Sequence, residues 1–176
     1  MIAARSVLLV SSLVALATIP ALAQEKPPLP GAPAPAAAEW VASQGGAVPA
    51  GARPSGYESA GYLYICRASA DGGVHPGKVR PGLDGCFVPL NGREVSIRQY
   101  EVLVGPERWD MARDGDVSPA AIESGRTRAG QPLYVCRSAG AAGQLVPGKT
   151  GSGIRGCSIG VGGLEQTQAF YQVLVR

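Results

Sequence analysis

Aromatic residues, charge and long apolar runs are all scarce in this chain of 176 residues. Aromatics make up 6 % and charged residues 16 %, with only two tryptophans and two phenylalanines. A large aromatic core is therefore excluded. Past residue 19 no apolar stretch approaches the roughly 18 residues needed to span a bilayer. Histidine occurs once, as His75, and no two cysteines lie close enough for a C-x₂₋₄-C metal knuckle, so a zinc site is not expected. A nucleophile elbow, an HExxH helix, a phosphate loop and a paired acid motif at catalytic spacing are all missing. The expectation is a non-enzymatic protein that uses no cofactor and no metal. Turn chemistry is abundant instead, with 25 glycines and 15 prolines. These residues cost about 1 and 3 kcal/mol in helix interiors, which argues against a bundle and leaves a turn-rich, all-β fold.

Residues 1–23 read as a secretory signal: Arg5 is its positive start, Val7 to Ile19 its apolar stretch, and Ala21-Leu22-Ala23 a small-x-small cleavage site. A membrane anchor is the alternative, and the short apolar run weighs against it. Residues 24–38 hold five prolines and five alanines and read as an extended, disordered spacer. Without the leader's arginine the balance is 15 basic against 13 acidic residues, interspersed along the chain. That sets solubility and does not form the basic stripe of a nucleic-acid binder. The expected product is secreted or periplasmic, without a membrane span.

The rest of the chain is written twice. Trp40 to Val104 matches Trp109 to Val175 at an offset that drifts from 69 to 71. Both tryptophans fall in register, as do Cys66 with Cys136 and Cys86 with Cys157. Leu63-Tyr64-Ile65-Cys66-Arg67 corresponds to Leu133-Tyr134-Val135-Cys136-Arg137, and Pro76-Gly77-Lys78 to Pro147-Gly148-Lys149. Gly92-x-Glu94 and Tyr100-x-Val102-Leu103-Val104 recur as Gly163-x-Glu165 and Tyr171-x-Val173-Leu174-Val175. Repeat one is assigned residues 40–105 and repeat two residues 106–176. In each, β-rich runs alternate with turns, and Asn91-Gly92 or Gly162-Gly163 supplies a two-residue hairpin turn. A unit of this size is marginal alone. The repeats are expected to intertwine into one compact body about a pseudo-two-fold axis, exchanging strands.

Four cysteines in an exported chain read as two disulfides. Symmetry favours Cys66–Cys86 and Cys136–Cys157, each contributing about 3 kcal/mol in the chain-entropy model. A symmetric cross-repeat pairing is the rival.

Only three lysines stand against thirteen arginines, yet two of them, Lys78 and Lys149, hold the same Pro-Gly-Lys position. Such retention points to a compact ammonium rather than a planar guanidinium. An exposed turn, with a left-handed glycine and a solvated lysine, is the plainer reading. Glu94 and Glu165 follow the glycine turn, placed to cap loop amides or pair with an arginine. Arg67 and Arg137 read as scaffold beside partner carboxylates, and Tyr64, Tyr100, Tyr134 and Tyr171 as core and rim aromatics. His75 has no counterpart, since Val146 stands there, so a catalytic duty is not assigned to it.

These motifs, recurring in order twice over residues 40–176, resemble the DM9 repeat family. The resemblance implies an all-β fold of two intertwined repeats and a function like that of its mannose-binding lectins, which recognise microbial surfaces, often as dimers. It also implies that each sugar site pairs the lysine of the Pro-x-Lys motif with an Asp from an earlier Gly-x-Asp-x-x-Gly stretch. Those positions are Lys78 with Glu58 and Lys149 with Thr127. The carboxylate is thus kept in repeat one, one methylene longer, and lost in repeat two, which makes Glu58 and Lys78 the expected stronger site. The reading is a carbohydrate-binding protein, possible as a homodimer, that recognises surface glycans of mannose type. The alternatives are a structural or protein-interaction module on the same scaffold and, more distantly, a hydrolytic enzyme.

Overall fold

The computed structural model describes residues 37–151 and 153–176. The expected signal and all but the last two residues of the spacer lie outside them. Fourteen strands and one short 3₁₀ turn, Ala141–Gly143, build the described body. Repeat one supplies β1 (Glu39–Gln44), β2 (Gly56–Glu58), β3 (Gly61–Ala70), β4 (Gly73–Val79), β5 (Cys86–Leu90), β6 (Arg93–Ile97) and β7 (Gln99–Val104). Repeat two supplies β8 (Arg108–Arg113), β9 (Glu123–Arg126), β10 (Pro132–Ala139), β11 (Leu145–Gly151), β12 (Cys157–Val161), β13 (Leu164–Gln168) and β14 (Phe170–Val175). No helix of the described residues is long and apolar enough to cross a membrane.

The ladder closes on itself. From β4 it runs through β5, β6, β13, β12, β11, β10 and β9 and returns to β4, an eight-strand barrel. Three joins link the repeats, two of them within the barrel and the third, between β2 and β11, the pseudo-two-fold counterpart of that between β4 and β9. Strand β6 meets β13 at Arg93 and Leu164, β2 meets β11 at Tyr57 and Leu145, and β4 meets β9 at Val74 and Arg126. Every such join pairs one repeat with the other, so neither repeat closes alone. Closure also removes the open edges that a seven-strand unit would expose. Strands β7 and β1 extend from β3 as one wing, and β14 and β8 extend from β10 as the other.

Packing follows the same exchange. Ile65 and Leu103 of repeat one and Val135 and Leu174 of repeat two form a shared cluster flanked by Trp40 and Trp109. Leu63 of repeat one sits in the cluster built mainly by repeat two. The disulfides are Cys66–Cys86 and Cys136–Cys157, with Cα separations of 5.9 and 5.8 Å, each tying the third strand of its repeat to the fifth. The cross-repeat pairing is thereby excluded.

The Pro-Gly-Lys motifs are not turns. Both lie inside buried strands, β4 and β11. Their glycines are needed for close approach rather than for a left-handed backbone: a Cβ on Gly77 would lie 2.2 Å from the Phe87 carbonyl oxygen, and one on Gly148 2.0 Å from that of Ser158. The run that ends at Tyr100–Val104 is likewise two strands, broken at Arg98. Asn91 and Gly92 do form the expected left-handed turn, with φ of 54° and 80°.

Arg67 behaves as its position suggested, donating to Glu101 at 2.6 Å and lying 4.3 Å from the Trp40 ring centre. Its counterpart follows that reading only in part: Arg137 stacks on Trp109 and feels the charge of Glu107, but the side chain it bonds is the amide of Gln172 at 2.8 Å. Tyr100 and Tyr171 are buried and donate to the Ala47 and Asp116 carbonyls.

Candidate site at the repeat junction

Strand periodicity turns Lys78 and Lys149 inward, and each comes to rest where the two repeats meet. Both are 5 % exposed. A buried ammonium must find acceptors, because unpaired charge is expelled from low-dielectric surroundings.

Lys78 finds three. Its Nζ donates to the Gly160 carbonyl at 2.9 Å and to Glu58 at 3.5 Å. It also lies 3.0 Å from Glu94 Oε1, a charge contact whose angle falls outside hydrogen-bond geometry. Glu94 in turn accepts from the Gly163 amide at 3.0 Å. A Cβ on Gly160 would fall 2.6 Å from Glu94 Oε1, so only glycine leaves room for the carboxylate. Arg80 completes the cluster at 2.5 Å from Glu58. Burial pushes the Glu58 carboxyl up, but the bond from Arg80 and the charges of Lys78 and Arg80 hold it below the ordinary value.

Around Lys149 the same frame is filled differently. Glu165 caps the Gly92 amide at 2.7 Å, the counterpart of Glu94 on Gly163. Each glutamate therefore caps the hairpin turn of the opposite repeat. Ser158 donates to the other oxygen of Glu165. Among the described residues no carboxylate lies within 4.0 Å of Lys149; its recorded partner is His75 Nδ1 at 3.1 Å. Since a charged lysine only donates, Nδ1 accepts and the imidazole proton sits on Nε2. Burial lowers the pKa of Lys149, with the Glu165 charge opposing. Burial and the lysine charge lower that of His75, against the influence of Asp71.

A cavity of about 420 Å³ opens beside Lys149, lined also by His75, Thr127, Arg128, Glu165 and Asp71. Thr127 and Lys149 thus share one cavity, while Glu58 and Lys78 share one ion-pair cluster. A wider groove of about 640 Å³ along β8, with exposed Met111 and Phe170, has no buried polar side chain in its lining. The smaller cavity has the convergent polar groups expected of a binding site. His75 is the site residue that sequence reasoning passed over. Its one signal was its lack of a counterpart, a polar residue standing where the other repeat has Val146.

A family model described as DM9 repeat matches residues 29–96 and 59–168. The two stretches overlap and together span more than half of the chain. No curated protein matches it.

Proposed function

The chain belongs to the DM9 repeat family, and from that premise we propose that it is an exported, lectin-like protein that binds surface glycans of mannose type. The observation that carries this reading is the cavity at Lys149, where an ammonium, a hydroxyl and an imidazole converge on space open to solvent. Sugar hydroxyls need both donors and acceptors. Lys149 offers donors, and Thr127 and Glu165 offer acceptors. Asp71 and Arg128 stand at the rim. Binding of this kind uses no cofactor and no catalysis. Single sites on neutral hexoses are weak, in the range where a millimolar Kd corresponds to about −4 kcal/mol. A homodimer would gain surface affinity by engaging two glycans at once. Two disulfides fit an oxidising compartment, and in this reading the protein works secreted or in a periplasm.

Glycan-array binding of the wild-type protein and of Lys149→Ala tests the reading. Signal on hexose glycans that falls in the variant is expected; no glycan signal above background rejects it.

One observation favours the alternative of a structural or interaction module, and it concerns repeat one. Lys78 donates to Glu58 and Gly160 and lies in charge contact with Glu94. There the motif shared by the two repeats acts as a clamp between them. In our reading the junction at Lys78 serves as scaffold and the junction at Lys149, built from both repeats, supplies the site.

A further inference from the structure

The repeats differ most in charge where the aligned loops face their lysines. Gly56 to Gly61 carries Tyr57, Glu58 and Ser59, whereas Gly125 to Gly130 carries Arg126, Thr127 and Arg128. One acid has been exchanged for two bases. Arg126 is paired with Glu123 at 2.6 Å, but no ion pair of Arg128 is found among the described residues, and it stands exposed at the cavity mouth.

The consequence is sharpest inside. In repeat one, Glu58 and Glu94 both neutralise Lys78. In repeat two, Thr127 has replaced the first carboxylate, and both oxygens of the second are engaged by Ser158 and the Gly92 amide. Lys149 is as buried as Lys78, yet its hydrogen-bond partner is a neutral imidazole, and the charge of Glu165 reaches it without an ion pair within 4.0 Å. Asp71 is the acid left on the rim, at the exposed tip of the β3–β4 turn, and it forms no ion pair with Lys149 or Arg128 among the described residues. A buried cation with no carboxylate in direct contact is electrostatically incomplete. Thr127 is poised to help. Its Oγ1 accepts from the Gln131 amide at 3.2 Å, which leaves its proton free to donate.

We infer that the cavity at Lys149 takes a sugar bearing a carboxylate, a hexuronate, whose anionic group replaces the one that Thr127 removed. The carboxylate accepts from Lys149 and the Thr127 hydroxyl, with Arg128 guiding it at the mouth. Charge-assisted bonds of this kind are about twice as strong as those to a neutral hydroxyl. The inference rests on the carbohydrate-binding reading and narrows it to the acidic form of the hexose.

A β-1,4-linked mannuronate trimer and β-1,4-mannotriose differ only at C6, which makes them the probes. Calorimetric titration of the full chain should show the mannuronate bound about tenfold tighter or better. The preference should shrink with added salt. Arg128→Gln, an exposed change, should weaken mannuronate severalfold, and by a larger factor than it weakens mannotriose. Thr127→Glu rebuilds the carboxylate of repeat one and should abolish mannuronate binding while thermal unfolding stays cooperative. Equal affinity for the two trimers overturns this inference and leaves the carbohydrate reading standing. A mannuronate preference indifferent to both substitutions overturns it too, by placing the site elsewhere. If neither trimer binds and the glycan array is blank, both readings fall together.

Discussion

Lys78 and Lys149 stand at equivalent points of one duplicated ladder, equally buried, and serve opposite ends. Around Lys78 two carboxylates and a carbonyl close an ion-pair cluster that joins the repeats. Around Lys149 one carboxylate has become Thr127, the other is held away by Ser158, and a histidine has replaced a valine. Duplication therefore provides two copies of a position that closes a cluster in one and, in the reading proposed above, binds a ligand in the other. A few substitutions in the shell decide which, while the lysine itself stays the same.

Substituting the two lysines alike tests that contrast most directly. Lys78→Met leaves Glu94 without a counter-charge in a buried place, with Glu58 held by Arg80 alone, and should cost about 3–5 kcal/mol in denaturant unfolding. Lys149→Met removes a desolvated cation that has no carboxylate partner. It should change stability by only about 1 kcal/mol in either direction. Equal losses would break the distinction between clamp and site.

The disulfides are where the repeats should behave alike. Their sequence separations are 20 and 21 residues. Replacing either pair by alanine should cost about 3 kcal/mol. A large inequality between the two would show that the repeats do not unfold as one cooperative body.

Acid separates them again. The pKa of His75 is lowered on folding from its ordinary 6.5, so below that pH the unfolded chain binds more protons than the folded one. The contribution of neutral His75 is complete above 6.5 and declines as the pH falls, levelling off below its folded value. Glu58 is held below its ordinary 4.5, so its contribution is present above that pH and is lost only on further acidification. The junction at Lys149 should thus weaken before that at Lys78 on the way down. Melting temperatures across mild acid should show a slope that His75→Val flattens, and a persistent slope would remove the histidine from the account.

The smallest effect concerns the arginine–tryptophan stacks. Glu101→Gln turns the Arg67 pair into a copy of Arg137 with Gln172. Because the carboxylate is 41 % exposed, the change should be under about 1 kcal/mol. A larger loss would show that this pair does more than orient the ring.

Much of this was legible in the sequence because it is local or repeated. Alternation and turn chemistry marked the strands, and symmetry favoured the disulfide pairing. Glu94 and Glu165 read correctly as caps for loop amides, although the loop belongs to the other repeat. The Pro-Gly-Lys motif misled for a physical reason. Proline and glycine usually punctuate turns, yet here the glycine serves the close passage of Phe87 or Ser158, which only strand packing reveals.

The scarcity of aromatics, the wealth of turns and the duplication settled by themselves that the chain is all-β, stapled by disulfides and built from two equivalent halves. What only the tertiary structure decided is which of the two lysines stands in a cluster and which beside a cavity. Lys78 is satisfied by Gly160, 82 residues away, and Lys149 meets His75 across 74 residues. The state of a buried ammonium is set by whichever acceptors the fold brings within about 3 Å, and such contacts between repeats leave no local trace in the motif that carries the lysine.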